Sequence, residues 1–366
     1  MSDQLWSAQD TSPTEIESAL RELVVERHAE DEAYVPARVL NLVVVVDRDW
    51  KGEIENRLER VGRYHASRTI ICSVDPSRKT IDAVVSMSSE GEPHAGELAV
   101  LTERVELNVG RDHVGHLDTI VDPLVVTDLA TVLWSPHDHP EAVDNLANLS
   151  QVILLDSVDE PDIVAALARV SELAQRLYVV DLAWLRSTPW RERVAATFDP
   201  DPWRAELERI SGVTVRHHPE SGVAGLLLLG WLASRLGWRV EELVPGGKGW
   251  HGRARARRQE VALRLEAAPY QQVRGLAGVS IETASGMSIS LDRAAGGLRA
   301  TRTDRRGHES SWSVVGASRG EGGILGEGVR QALLRDPTYR PALDAAQVMV
   351  GAEPSSVGPE PSSGRG

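Results

Sequence analysis

Apolar positions along this chain come first in unbroken runs separated by helical stretches, and only later in strict alternation. The run RVLNLVVVVD (38–47) is apolar almost throughout, the pattern of a strand covered on both faces. WKGEIENRLERVG follows with Ile54, Leu58 and Val61 at helical spacing, and SRTIICSVD (67–75) is a second strand; the three predict one βαβ unit. Upstream, Thr14-Glu15-Ile16-Glu17 has the form of a capping box, opening a helix with Ile16, Leu20, Leu23 and Val24 on one stripe. Residues 80–109 alternate apolar and polar and predict an antiparallel extension, and 112–128 predicts a helix that stops at Pro123. The βα rhythm then resumes. ATVLWSP (130–136) is a strand, 140–149 a helix and QVILLDS (151–157) a strand. A long helix capped near Asp159 carries Ile163, Leu167, Val170 and Leu177, and YVVDLAWL (178–185) is the next strand.

The pattern changes after residue 200. TPWRERVAATFD predicts a helix with Thr188 at its N-cap and Pro189 in its first turn. ISGVTVRHH (210–218) is a short strand, followed by an all-round apolar, buried helix over 222–238. PGGKGWHGRARARR predicts a flexible interdomain loop, and QEVALRLEA, GVSIETAS, SISLDRAA, LRATRT and SSWSVVGA an antiparallel meander before two closing helices at about 322–335 and 338–350. The expected fold class is α/β. A mostly parallel N-terminal and central sheet with flanking helices spans 14–200, and a smaller α+β domain with an antiparallel meander spans 201–350. Residues 1–13 and 351–366 read as disordered tails, the second of low complexity.

Composition narrows the function. At 366 residues the chain is long enough for two cores, and 42% hydrophobic with 26% charged is ordinary for a folded protein. A net charge of −14 argues against a nucleic-acid partner, whose phosphates most of the surface would repel. Charge is uneven, however: residues 251–310 hold eleven arginines against six carboxylates, so Arg253, Arg255, Arg257 and Arg258 form a candidate basic contact surface on an acidic body. Cys72 is the single cysteine and sits in an apolar strand, which excludes a disulfide framework and makes it a small buried hydrophobe. The opening MSDQLWSAQDTSPTE has no basic and apolar leader, and 222–238 is interrupted by Arg235 and short for a bilayer; the expectation is a cytoplasmic protein without a membrane partner.

Catalytic signatures are missing where chemistry would need them. The loop Gly246-Gly247-Lys248-Gly249 lacks the hydroxyl and the following helix of a phosphate-binding P-loop, and no strand is followed by the glycine fingerprint of a dinucleotide site. His113 with His116, His137 with His139, and His217-His218 are paired but do not make a three- or four-ligand metal set; the loop His137-Asp138-His139 reads as a solvated turn of undetermined role. No nucleophile elbow is present. The expectation is therefore no catalytic residue, no metal and no cofactor.

One stretch stands out. DLAWLRSTPWRERVAATFD (181–199) sets two tryptophans and three arginines at a strand-to-helix corner. Strand alternation would put Val180, Leu182, Trp184 and Arg186 on one face, and Trp190, Val194 and Phe198 recur at i, i+4, i+8 as a core stripe. Arg186, Arg191 and Arg193 near a helix start are disfavoured by the helix dipole unless acidic groups neutralise them. Tryptophan and arginine are also the residue types enriched at interface hot spots. A partner- or anion-contacting corner and an internal salt-bridge network both remain open.

The stretch resembles the D-L-A-W-x-R-x-T-P-W-R motif of the OpcA-like glucose-6-phosphate dehydrogenase assembly family, through Asp181, Leu182, Ala183, Trp184, Arg186, Thr188, Pro189, Trp190 and Arg191. The likeness extends over residues 14–350, including ARVLNLVVVVD, RTIICSVD, LDTIVDPLVVTDLATVLWSP (117–136) and the helix GLLLLGWLASRLGW (225–238). It implies a non-catalytic assembly factor or allosteric activator that contacts oligomeric glucose-6-phosphate dehydrogenase, with Trp184, Arg186, Thr188, Trp190 and Arg191 making or supporting the contact. Cyanobacterial members are associated with redox control through cysteines, which a lone Cys72 cannot provide as an internal disulfide. The alternative is a sugar-phosphate sensor or cryptic enzyme in which the arginine corner grips phosphate, a sugar phosphate then being a weak small ligand.

Overall fold

A computed structural model describes residues 4–30, 34–36, 38–62, 67–89, 99–137, 139–315 and 320–352. In chain order the elements are β1 (Gln4–Ala8), α1 (Pro13–Glu30), β2 (Tyr34–Pro36), β3 (Leu40–Asp47), α2 (Lys51–Gly62), β4 (Ser67–Val74), β5 (Asp82–Ser89), β6 (Ala99–Val109), α3 (Leu117–Val121), β7 (Thr131–Trp134), α4 (Pro140–Leu146), β8 (Val152–Leu155), α5 (Ile163–Arg176) and β9 (Tyr178–Asp181). They continue through α6 (Leu182–Arg186), α7 (Thr188–Phe198), α8 (Asp201–Arg204), β10 (Ile210–His217), α9 (Gly222–Leu236), β11 (Arg239–Val240), β12 (Val244–Gly246), β13 (Gly249–Arg255), β14 (Glu260–Ala267), β15 (Leu276–Thr283), β16 (Ser288–Ala294), β17 (Gly297–Thr303), β18 (Glu309–Val315), α10 (Gly320–Leu334) and α11 (Tyr339–Met349).

Two compact units share this chain. The first takes in 1–155, 176–180 and 321–335; the second takes in 156–175, 181–320 and 336–366. The divide therefore does not fall near residue 200: the corner at 181–199 falls in the second unit with the later sheet, where α6 packs against α9.

In the first unit the strand order is β1-β5-β6-β4-β3-β7-β8-β9, with β2 beside β6. The pairs β6–β4, β4–β3, β3–β7 and β7–β8 are parallel and β1–β5 and β5–β6 antiparallel, giving the mostly parallel sheet with an antiparallel extension that the runs predict. β3 is buried along nearly its whole length, as its two-sided hydrophobicity requires. Cys72 is buried in β4, and burial pushes its thiol up to about 12, so it is an inert apolar group. Two expectations are corrected here. Residues 4–8 are not part of a tail but pair along β5 as β1, with Leu5 exposed and Trp6 half-buried. The capping box is Ser12 with Glu15, two residues earlier than Thr14 with Glu17: Glu15 N–H donates to Ser12 Oγ at 3.3 Å and Ser12 N–H to Glu15 Oε2 at 3.0 Å. The second expected tail lies, from residue 353, outside the described residues.

In the second unit the order is β11-β13-β14-β10-β15-β16-β17-β18, with β12 beside β13. The expected meander is interrupted. β10 inserts between β14 and β15, parallel to the first and antiparallel to the second. Its inner residues Val213 and Val215 align with Leu263 and Leu265 on one side and with Ile281 and Val279 on the other. All six are buried, each contributing about 1.5–3 kcal/mol of apolar burial. α9 covers β10 and β14 from this side, and α11 packs on α9. The apolar helix is thus a core element, and no described helix is long and apolar enough to cross a membrane.

Candidate functional site

The corner is built differently from its expected strand. β9 stops at Asp181, whose carboxylate accepts from Ala183 N–H at 2.9 Å and so caps a five-residue helix, α6. Leu182 and Trp184 therefore do not alternate across a pleat. Leu182, Ala183, Trp184 and Leu185 are all buried on a helical turn, and only Arg186 reaches partial exposure. α7 follows directly, with Pro189 in its first turn and Trp190, Val194 and Phe198 buried at 2–3% exposure, the predicted stripe.

Three aspartates of the second unit organise this turn. Each is the first residue of a segment that enters the unit: Asp156, Asp181 and Asp336. Asp156 takes Arg186 Nη1 at 2.5 Å. Asp336 takes the indole N–H of Trp184 at 2.8 Å and lies 3.8 Å from Arg191 Nη1. The Arg191 guanidinium stacks 3.4 Å from the centre of the Trp184 ring and donates to Thr188 Oγ1 at 2.8 Å. Tyr339 packs beside Trp184, its ring tilted and the ring centres 5.4 Å apart, and its hydroxyl donates to Asp181 Oδ2 at 3.0 Å.

The electrostatics follow from burial. Arg191 is 7% exposed, and burial lowers its guanidinium to about 10, still charged at neutral pH. Burial pushes the Asp336 carboxyl up, but hydrogen bonds from Thr338 and Trp184 and the charge of Arg191 outweigh it and hold Asp336 below the ordinary value. Asp181 goes the other way. Desolvation first, then the neighbouring Asp156 charge, raise it to about 6 despite donors from Ser157 and Tyr339. A carboxyl whose folded value lies above its unfolded one near 3.8 contributes stability in full below that value, and the contribution is lost as pH rises through about 6. The loss is on the order of 3 kcal/mol between roughly pH 4 and 6. Asp181→Asn should remove it. The amide oxygen can keep the bonds from Ser157 N–H and Ala183 N–H, while its NH₂ donates to Ser157 Oγ and Tyr339 Oη. Urea titrations at pH 4.5 and 7.5 should show a smaller pH difference for the variant than for the parent; an equal difference would place the titration elsewhere.

The structure thus brings Trp184, Thr188 and Arg191 together and sets Arg186 beside Asp156. Trp190 stands apart, with the Arg293 guanidinium 5.9 Å from its ring. Arg193 is exposed, so the three corner arginines do not converge. Trp184, Trp190 and Arg191 are too buried to touch a partner in this conformation. Asp156, Ser157, Asp336 and Tyr339 escaped sequence reasoning because they lie up to 158 positions away; the one local sign was the aspartate closing each of two successive strand runs.

Arg253, Arg255, Arg257 and Arg258 form a separate basic edge. The expected flexible loop before them is a β-hairpin. Gly246 pairs with Gly249, and Gly247, at φ +59, supplies the positive φ that a two-residue turn needs at its first position. All four arginines are exposed; Arg253 meets Glu260 at 2.9 Å across the hairpin to β14. The histidine pairs are individually placed: Gly110 N–H donates to His113 Nδ1, His137 stacks near Trp50, and His217 Nδ1 bonds the carbonyl of His218. Asp138 lies outside the described residues. Among the described residues no three His, Cys, Asp or Glu side chains converge as a metal site.

Residues 58–172 match the family described as glucose-6-phosphate dehydrogenase subunit N-terminal domain, and 177–343 the corresponding C-terminal domain. The OxPP cycle protein OpcA of Synechococcus elongatus is 29% identical over 154 residues, 41% of this chain and 35% of that protein. Its counterpart in Nostoc punctiforme is 26% identical over 163 residues, 43% and 35%. The matched part is about a third of the length of these relatives. A solved structure, apo scyllo-inositol dehydrogenase from Lactobacillus casei, aligns over 87% of this chain and 97% of its own at 12% identity and a TM-score of 0.43, a likeness too loose to say more. With both domain matches in sequence and together covering most of its length, the chain belongs to the OpcA-like glucose-6-phosphate dehydrogenase assembly family.

Proposed function

We propose that this chain is a non-catalytic subunit that binds oligomeric glucose-6-phosphate dehydrogenase in the cytoplasm and shifts it toward its active state in the oxidative pentose phosphate pathway. The observation that carries the reading is the pair of domain matches, both described as parts of a glucose-6-phosphate dehydrogenase subunit. The corner then acts as support: Trp184, Arg191, Thr188 and Arg186 are held by Asp156 and Asp336, so they brace the helices behind a contact surface. The exposed arginine edge of the β13–β14 hairpin, on a chain of net charge −14, is the contact favoured by charge. Activation requires only that the chain bind the active state more tightly; a tenfold preference is about 1.4 kcal/mol.

A phosphate grip at the corner is less favoured, since Arg186 and Arg191 already face carboxylates. Gel filtration of the purified chain mixed with the dehydrogenase of the same organism tests the reading. Co-elution is expected, with no thermal stabilisation of the chain alone by glucose 6-phosphate or NADP. Ligand stabilisation without co-elution would favour a metabolite sensor.

A further inference from the structure

One edge of the first sheet is left open. β1 is the last strand on its side, and among the described residues it pairs only with β5. Alternate residues of an antiparallel strand turn their N–H and C=O groups away from the neighbour, so about half of the peptide groups of β1 face outward with no strand to meet them. Sheet edges are usually blunted by a lysine, a proline or a bulge. The segment QLWSA has no charge and no proline, and it runs along β5 from Gln4 opposite Met87 to Ala8 opposite Ala83 without a register shift. Leu5 is 65% exposed on one face of it, while Trp6 and Ala8 lie half-buried on the other.

Trp6 and Ala8 also form one wall of a groove of about 450 Å³. The opposite wall is one face of α1, where Thr14, Ser18 and Ala19 are small enough to leave the space open. No residue of β5 lines it, so it opens beside β1. Its charge is one-sided. Of ten lining residues three, Asp10, Glu15 and Glu22, are carboxylates and none is a cation, whereas the whole chain sets 54 acidic against 40 basic residues in 366. The hydroxyl of Thr11 and the N–H of Ser12 hold Glu15 ionised, below its ordinary value. Asp10 and Glu22 carry no ion pair among the described residues.

We propose that this edge and groove take an extended, basic peptide segment of a partner protein, added to the first sheet beside β1. The unpaired edge calls for a partner in β conformation, whose backbone groups meet those of β1. Strand side chains alternate, so every second one enters the groove and the others lie on the face of Leu5. Those in the groove are lysine or arginine, to meet its carboxylates; those over Leu5 are apolar. Glu15 and Glu22 lie about 10 Å apart along α1, within reach of two lysines about 7 Å apart on a strand. A polyanion would be repelled here, and the β1 edge of a second copy offers the groove no cation. The site lies wholly in the first unit and stands apart from the arginine contact of the second.

The probe is a fluorescein-labelled peptide Thr-Val-Lys-Val-Lys-Val-Thr, with Thr-Val-Glu-Val-Glu-Val-Thr as its control. Fluorescence anisotropy with the full chain should show saturable binding of the lysine peptide, weakened at least about tenfold in the double variant Asp10→Asn/Glu22→Gln. Asparagine keeps the left-handed backbone at position 10, where φ is +52, and Glu22 is exposed, so this variant should unfold at the parent's midpoint. Ser18→Trp, on the exposed side of α1, fills the groove and should abolish binding. Bound peptide should also slow amide hydrogen exchange in residues 5–8, which attraction between charges alone would not do. Lack of saturable binding, equal binding of the glutamate peptide, unaltered affinity in either variant, or unchanged exchange in β1 overturns the proposal.

Discussion

Trp184→Ala is expected to lower the stability of the second unit by about 3–5 kcal/mol, the range for emptying a large buried aromatic site. Trp184 is 2% exposed, its ring contacts both the Arg191 guanidinium and Tyr339, and its N–H holds Asp336. The substitution removes all of these at once and leaves the buried Arg191 and the half-buried Asp336 with fewer partners, a further cost of the kind seen when a buried ion pair is broken. Against a total stability of about 5–15 kcal/mol this is a large fraction. Trp184→Phe keeps most of the ring and loses the hydrogen bond, so about 1–2 kcal/mol is expected. Equilibrium urea unfolding followed by fluorescence separates the two. A loss below about 1 kcal/mol for the alanine variant would mean that the corner is not the brace described. The same geometry predicts that removing Arg186 and Arg191 together perturbs the fold, so such a variant cannot by itself report on partner contact.

Reversing Arg253, Arg255, Arg257 and Arg258 to glutamate should leave the fold intact and weaken association with the dehydrogenase by at least tenfold, about 1.4 kcal/mol. All four are exposed, and the ion pair of Arg253 with Glu260 is of the surface kind, worth about 0–1 kcal/mol. The loss should shrink as salt is raised, because exposed charges are screened beyond about 10 Å at 0.1 M ionic strength. The measurement is the concentration of chain needed for half-maximal activation. An unchanged value would remove the hairpin as the contact while leaving the domain matches untouched.

Much of the fold is readable from the pattern of apolar residues. RVLNLVVVVD, SRTIICSVD and 222–236 are long enough for their period to show, and each forms the expected strand or helix. The misreadings fall where local pattern is too short to decide. LAWLR is five residues, equally compatible with alternation and a helical turn, and the carboxylate of Asp181 decides for the helix. β10 pairs in parallel with β14, some fifty residues on, and no turn signal announces such a pairing. The corner is legible as composition but not as structure. Its tryptophans and arginines are visible at once, whereas the aspartates that bury them come from 156 and 336. That distance is why an internal network and a contact surface read alike until the chain is folded.

The most direct test of the central claim is the kcat/KM of glucose-6-phosphate dehydrogenase for glucose 6-phosphate as this chain is titrated in. A saturable rise is predicted, with no turnover by the chain alone. A flat response at concentrations well above those of the enzyme, or oxidation of the sugar phosphate by the chain without the enzyme, would contradict it.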